Sequence, residues 1–150
     1  MSNLSETILR VENIESYYGP IMALRGVSLT VPKNSIVSVL GANGAGKTTL
    51  MKNISGVMDP EKGKIFLENE AIEGSTADIL VRKGVSHVPE GREVFPMLSV
   101  EQNLIMGAYT RNNKAKIKSD IELFCTYFPV LESRFKQQAL TLSGGEQQML

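Results

Sequence analysis

The chain has 150 residues, and its 16 Lys and Arg balance 16 Asp and Glu, so no global field gathers nucleic acid. An apolar content of 42% supports a packed core and excludes wholesale disorder. A single cysteine, Cys125, excludes an intrachain disulfide framework, and no apolar run approaches the length of a membrane span.

In chain order, Met1–Glu6 lacks the basic start and apolar stretch of a signal peptide. Ile8–Ile14 alternates as a half-buried strand, and Tyr17-Tyr18-Gly19-Pro20 reads as the turn that breaks it. Val27–Val31 alternates again and is closed by Pro32-Lys33-Asn34. These two segments are expected to pair antiparallel. Ile36–Leu40 is apolar but for Ser38 and reads as a buried parallel strand.

Next comes Gly41-Ala42-Asn43-Gly44-Ala45-Gly46-Lys47-Thr48-Thr49, which fits G-x-x-x-x-G-K-[ST] between a predicted strand and a predicted helix. Glycines let the backbone curl so that N–H groups converge on phosphate oxygens, and the following helix adds its positive end. Lys47 suits the β- and γ-phosphates as a point charge, and Thr48 can offer a hydroxyl to Mg²⁺. The bland alternative is an ordinary glycine-rich turn.

After that helix, Asp59–Gly63 reads as a turn and Lys64–Glu68 as a strand joining the first two. Ser75 or Thr76 can cap a short helix that stops at Gly84. Val85–Val88 reads as a short buried strand. His87, the only histidine, is expected to be a satisfied structural residue, since no partner pattern surrounds it.

From Ser99 the period turns helical. Ser99 with Gln102 forms a capping box, and Val100, Leu104 and Ala108 share one face. A polar link, Arg111–Lys114, reads as a solvated loop. Ile117, Ile121, Phe124 and Phe128 then repeat at helical spacing up to Pro129, with Cys125 as a small core residue among them. The final stretch, Thr141–Leu150, contains a second capping box, Ser143 with Glu146. Two glycines in that first turn, Gly144 and Gly145, are costly for a helix. They make sense where exposed N–H groups must approach an anion closely, with Ser143 as an extra donor. Two helix starts suited to one triphosphate suggest a sandwich across two subunits.

Leu142-Ser143-Gly144-Gly145-Glu146-Gln147 resembles the signature motif of ABC transporter ATPases, and its order and spacing from the glycine loop extend the resemblance over nearly the whole chain. The resemblance implies an α/β fold, a P-loop nucleoside triphosphatase of the ABC ATPase type with an antiparallel β layer and a helical subdomain. It divides into 1–98 (nucleotide-binding core and β layer), 99–142 (helical subdomain) and 143–150 (signature helix start). Tyr18 stands where the family places an aromatic that stacks on adenine, with Tyr17 as the competing choice. ATP and Mg²⁺ are the implied cofactors. Gly41 to Thr49 would hold the phosphates, while Ser143, Gly144, Gly145 and Gln147 would act in trans on the partner's ATP. Glu90 stands where the family's Q-loop glutamine is expected. A glutamate there would be a stronger ligand for Mg²⁺, or would touch the attacking water, but would repel the γ-phosphate.

Pro89-Glu90-Gly91-Arg92 with Val94-Phe95-Pro96 is similar to the shorter of the paired ATP-binding subunits of branched-chain amino acid importers. That resemblance implies a second ABC ATPase subunit in a homo- or heterodimer, transmembrane permease subunits, and indirectly a solute-binding protein. Nucleic acid is not among the expected partners. The implied place is peripheral, on the cytoplasmic face of the membrane. The family's Asp-Glu strand end, dimer loop and switch histidine do not occur in 1–150, so the chain reads as an N-terminal piece, incomplete at its C-terminal side, that binds nucleotide but hydrolyses it poorly. The alternatives are a soluble, non-transport ABC ATPase and a nucleotide-binding module without hydrolysis. Tandem cassettes or long heptad insertions, frequent in the soluble class, do not occur in this sequence.

Overall fold

The computed structural model describes residues 7–150; the expectation about Met1–Glu6 lies outside them. The chain divides into two compact units between His87 and Val88.

The first unit is built on a four-stranded antiparallel sheet in the order β2-β1-β3-β4. Its strands are β1 (Thr7–Tyr18), β2 (Ile21–Pro32), β3 (Lys62–Leu67) and β4 (Glu70–Ala71). The two long strands exceed their predicted lengths. Tyr17 and Tyr18 do not break β1; they complete it, and only Gly19 and Pro20 form the connection to Ile21. β1 carries a bulge within this length. Asn13 adopts φ 48°, and the β1–β2 register shifts between Val11 and Ile14. Ser28 Oγ accepts from the Asn13 N–H at 2.8 Å and holds the bulge in place. An extra residue flips the alternation of side chains. Val11 is therefore buried before the bulge, and Ile14 and Ser16 are buried after it.

Two helices complete this unit: α1 (Lys47–Ile54) and α2 (Ala77–Arg82). The core joins Val11, Ile14, Leu24 and Ile65 of the sheet to Leu50 of α1, Leu80 of α2 and Ile72. Thr76 takes the N-cap position of α2, but its hydroxyl donates to the Asp78 carboxylate and accepts no bond from the helix N–H groups. Gly84 ends the turn after α2 at φ 94°.

Two predicted strands do not form. Ile36–Leu40 and Val85–Val88 have no ladder partner among the described residues. A parallel strand takes its hydrogen bonds from neighbours on both sides and buries both faces. Without neighbours the apolar run lies open: Ile36 is 98% exposed and Leu40 91%. The antiparallel layer is present, and the parallel layer expected around the glycine loop is not assembled among these residues.

The second unit is helical, with α3 (Val100–Gly107), α4 (Lys114–Tyr127), α5 (Pro129–Ser133) and α6 (Gly144–Met149). The Ser99–Gln102 capping box forms as the sequence predicts. Asn113 caps α4, its side chain accepting from the Lys116 N–H at 3.0 Å. Pro129 does not merely end the stripe; it occupies the first turn of α5, where its missing N–H costs nothing. Arg111, expected in a solvated link, pairs with Asp120. Val100, Leu131 and Leu142 form the buried centre, with Leu104, Phe124, Phe128 and Phe135 packed on it. Cys125 is buried, and desolvation holds its thiol above its usual pKa, as suits a core residue.

Candidate functional site

In the first unit, the glycine loop curls by alternating backbone signs. Gly44 has φ 80° and Gly46 φ 88°, the left-handed conformation in which a side chain is strained. Gly46 is also sterically required. A Cβ there would stand 2.7 Å from the Ala23 carbonyl oxygen and 2.7 Å from Leu24 Cδ2, so the start of α1 presses directly on β2. The Ala45 N–H donates to the Ala42 carbonyl at 3.2 Å and closes the turn.

Lys47 folds back over this curl. Its Nζ donates to the carbonyls of Gly41 and Ala42, each at 2.8 Å. An ammonium has three N–H donors, so two carbonyls position the charge and leave one donor to face a ligand. Gly41, Ala42, Asn43, Gly44, Ala45 and Thr48 are all exposed, whereas Thr49 is buried. The loop is thus open to solvent, and its helix is anchored from the next residue onward. Thr48 offers a hard oxygen of the kind Mg²⁺ takes, and Glu90 of the second unit is an exposed carboxylate of the same class. Among the described residues, no group of three or more His, Cys, Asp or Glu side chains makes a metal cage. A magnesium ion held mainly by phosphate oxygens and water needs none.

The strand bulge decides which tyrosine lies near the loop. Ile14, Ser16 and Tyr18 share one face of β1, because strand side chains alternate. On that face the Lys52 ammonium of α1 stands 5.8 Å from the centre of the Tyr18 ring. The Thr49 side chain beside Tyr18, and secondarily the Lys52 charge, hold the phenol below its usual pKa. Tyr17 points the other way and donates to Glu15 Oε2 at 3.2 Å. Desolvation and that carboxylate push the Tyr17 phenol up. His87 is engaged structurally, with its Nδ1 3.1 Å from Ser55 Oγ just beyond α1.

The second unit carries the other glycine turn. Ser143 N-caps α6 in a reciprocal capping box. Its N–H donates to Glu146 Oε2 at 2.7 Å, and the Glu146 N–H donates to Ser143 Oγ at 3.3 Å. Arg134 adds a two-pronged ion pair to Glu146 at 3.1 and 3.2 Å. The bonds from Ser143, and then the Arg134 charge, hold the Glu146 carboxyl below its usual pKa. Gly145 meets nothing within 4 Å and is open to a partner. Gly144 is closer packed, since a Cβ there would lie 2.6 Å from an Arg92 guanidinium nitrogen. Gln147, expected to act in trans on the partner's ATP, donates from Nε2 to the Ala139 carbonyl at 2.9 Å in this chain.

Residues that sequence reasoning did not single out do much of the positioning. Asn103, buried on α3, accepts from the Phe95 N–H at 2.8 Å and donates to the Phe95 and Ser99 carbonyls, each at 3.0 Å. The segment after Glu90 is thereby fastened to α3. The Leu140 N–H donates to the Pro96 carbonyl and the Ala139 N–H to the Leu98 carbonyl, both at 2.9 Å, so the same segment is stitched to the approach of the Ser143 turn. Asn103 sits three residues after Val100, a spacing that puts both on one helix face, and this was the only signal for it in the sequence.

The family model described as ABC transporter matches residues 24–150. The high-affinity branched-chain amino acid transport ATP-binding protein BraG of Pseudomonas aeruginosa is 42% identical over 143 residues, which cover 95% of this chain and 61% of that protein. The probable branched-chain amino acid transport ATP-binding protein LivF of Archaeoglobus fulgidus is 37% identical, over 95% of this chain and 60% of its own length. A solved structure described as the ATP-binding subunit of an ABC transporter superposes with a TM-score of 0.83 at 26% identity, covering 95% of this chain and 59% of that one. The chain thus spans about three fifths of the length of the relatives it matches. With a phosphate-type loop and a capped Ser-Gly-Gly turn in their expected order, and relatives matched along almost all of its length, this chain belongs to the ABC transporter family.

Proposed function

We propose that this chain is part of the ATP-binding subunit of an importer, and that ATP binding and hydrolysis by the whole protein drive uptake of amino acids, in particular branched-chain ones. The observation that carries the reading is the open curl at Gly41–Gly46 with the Lys47 ammonium held over it by two carbonyls at 2.8 Å. The substrate class rests on the relatives, which are named as branched-chain amino acid transport ATP-binding proteins.

In this reading the N–H groups and Lys47 grip the phosphates, Tyr18 stacks on the adenine, and Thr48 supplies an oxygen to Mg²⁺. The ion neutralises phosphate charge when bound. Ser143, Gly144 and Gly145 face the ATP of a second subunit. Gly145, with open space around it, is suited to close approach. Gln147 already serves Ala139, so its part is to brace this turn unless it exchanges partners on assembly. Permease subunits contact the region from Glu90 to Phe128, and the protein works peripherally on the cytoplasmic face of the membrane. None of the helices is long and apolar enough to cross a membrane among the described residues.

The test compares Mg·ATP binding and turnover by residues 1–150 with those of a polypeptide extended to the length of its relatives. Nucleotide binding by both, with turnover only by the longer, is expected, because residues 1–150 contain no carboxylate in the family's water-activating position. A Lys47→Ala variant should bind Mg·ATP about a hundredfold more weakly, the worth of one or two charge-assisted hydrogen bonds. Normal binding by that variant would sink the phosphate-loop reading. Substitutions at Glu93 to Leu98 are expected to uncouple transport from hydrolysis with ATP affinity nearly intact.

A further inference from the structure

In the last turn of α1 sits an asparagine, a residue that competes with helix hydrogen bonding and that packs poorly among aliphatic neighbours. Asn53 is 3% exposed, and the core beside it contains Ile14 and Leu50. Both ends of its amide are used. Nδ2 donates to the Thr49 carbonyl at 2.7 Å, and Oδ1 accepts from Ser16 Oγ at 2.8 Å. Ser16 is fully buried. A pair of small apolar residues would fill this space with no desolvation cost. What they would not supply is direction. An aliphatic contact tolerates sliding, whereas a buried hydrogen bond with both partners satisfied specifies one relative position.

The two elements joined by this bond carry different parts of the candidate site. Two residues beyond Ser16, on the same face of β1, is Tyr18; one turn before Asn53 on α1 are Thr49 and Thr48, with Lys47 just ahead. We propose that the Ser16–Asn53 hydrogen bond is a ruler that sets the distance between the base-stacking tyrosine and the phosphate loop, making both positioning residues for recognition of a whole nucleoside triphosphate. The inference rests on the nucleotide-binding reading above. It also accounts for the bulge at Asn13. Without the extra residue, Ser16 and Tyr18 would face away from α1.

A ruler has a signature that a merely structural bond lacks. Its loss weakens a ligand that must touch both ends and spares a ligand that touches only one. The experiment measures the Kd of Mg·ATP and of Mg·tripolyphosphate, which lacks the base, on the full-length protein. Ser16→Ala removes one hydroxyl and leaves the Asn53–Thr49 bond in place. It should weaken Mg·ATP about fivefold, the worth of one net hydrogen bond, with Mg·tripolyphosphate changed by less than about twofold. Asn53→Leu, which fills the same space without the bond, should discriminate in the same direction. In a Tyr18→Ala background, Ser16→Ala should have no further effect on ATP. Equal weakening of both ligands, unchanged ATP affinity, or a full additional loss in the Tyr18→Ala background would overturn the ruler. Any of these leaves the phosphate-loop reading standing, because that reading falls only if Lys47→Ala binds both ligands normally.

Discussion

The two glycine turns reach a similar end by different physics. The Gly41–Thr49 loop is shaped by backbone: Gly44 and Gly46 lie at positive φ, and Gly46 is wedged against β2. No side chain caps α1. The Ser143–Gly145 turn is shaped by side chains: Ser143, Glu146 and Arg134 form a closed polar network, and neither glycine there has a positive φ. The first turn is strained if a Cβ is added at Gly44 or Gly46. The other is indifferent in its backbone and sensitive in what surrounds it. In the function proposed above, the first turn needs curvature to wrap phosphates from one side, and the second needs an exposed, rigid helix start to be offered to another subunit.

That contrast can be broken by experiment. Gly46→Ala should have the largest effect, lowering stability by about 3 kcal/mol, because left-handed strain and overpacking against Ala23 and Leu24 add. Denaturant unfolding of the full-length protein checks this, and a loss well under 1 kcal/mol would mean that the loop relaxes freely. Gly44→Ala carries the φ strain without the clash, since nothing lies within 4 Å of its Cβ position, and should cost about 1–2 kcal/mol. Ser143→Ala should cost about 1 kcal/mol as a lost N-cap, and it would sharpen the contrast if ATP turnover fell further than stability accounts for.

The smallest effect concerns pH. Glu146 has a folded pKa below its unfolded one, chiefly through the bonds from Ser143. Its contribution to stability is therefore fully present above the ordinary glutamate value and disappears as pH falls through the lowered folded value. A pH series of unfolding midpoints on the wild type and Glu146→Gln should converge at the acid end. Parallel curves over that range would show that the carboxylate is not what orders this turn.

The exposed run Ile36–Leu40 teaches a separate lesson. Its composition demands burial, yet it lies open because no neighbouring strand stands beside it among the described residues. Amide exchange should find 36–40 unprotected in residues 1–150 and protected in a polypeptide of its relatives' length, where a parallel sheet can form around it. Protection in both would mean that another device covers this segment.

What was legible in the sequence was local. Both capping boxes, the Gly44–Gly46 curl, the stop at Gly84 and the helical stripe from Ile117 to Phe128 depend on residues within a turn or two of each other, so spacing alone determined them. The tertiary structure decided everything that depends on phase or on distant partners. A single left-handed residue, Asn13, reverses the alternation of β1 and selects Tyr18 over Tyr17 for the face that meets α1. Asn53 finds Ser16 from 37 positions away, and Arg92 comes to lie against Gly144. Periodicity cannot register a one-residue bulge, and it carries no information about which buried polar groups will meet. Those follow only once the chain has folded and each desolvated group must find a partner.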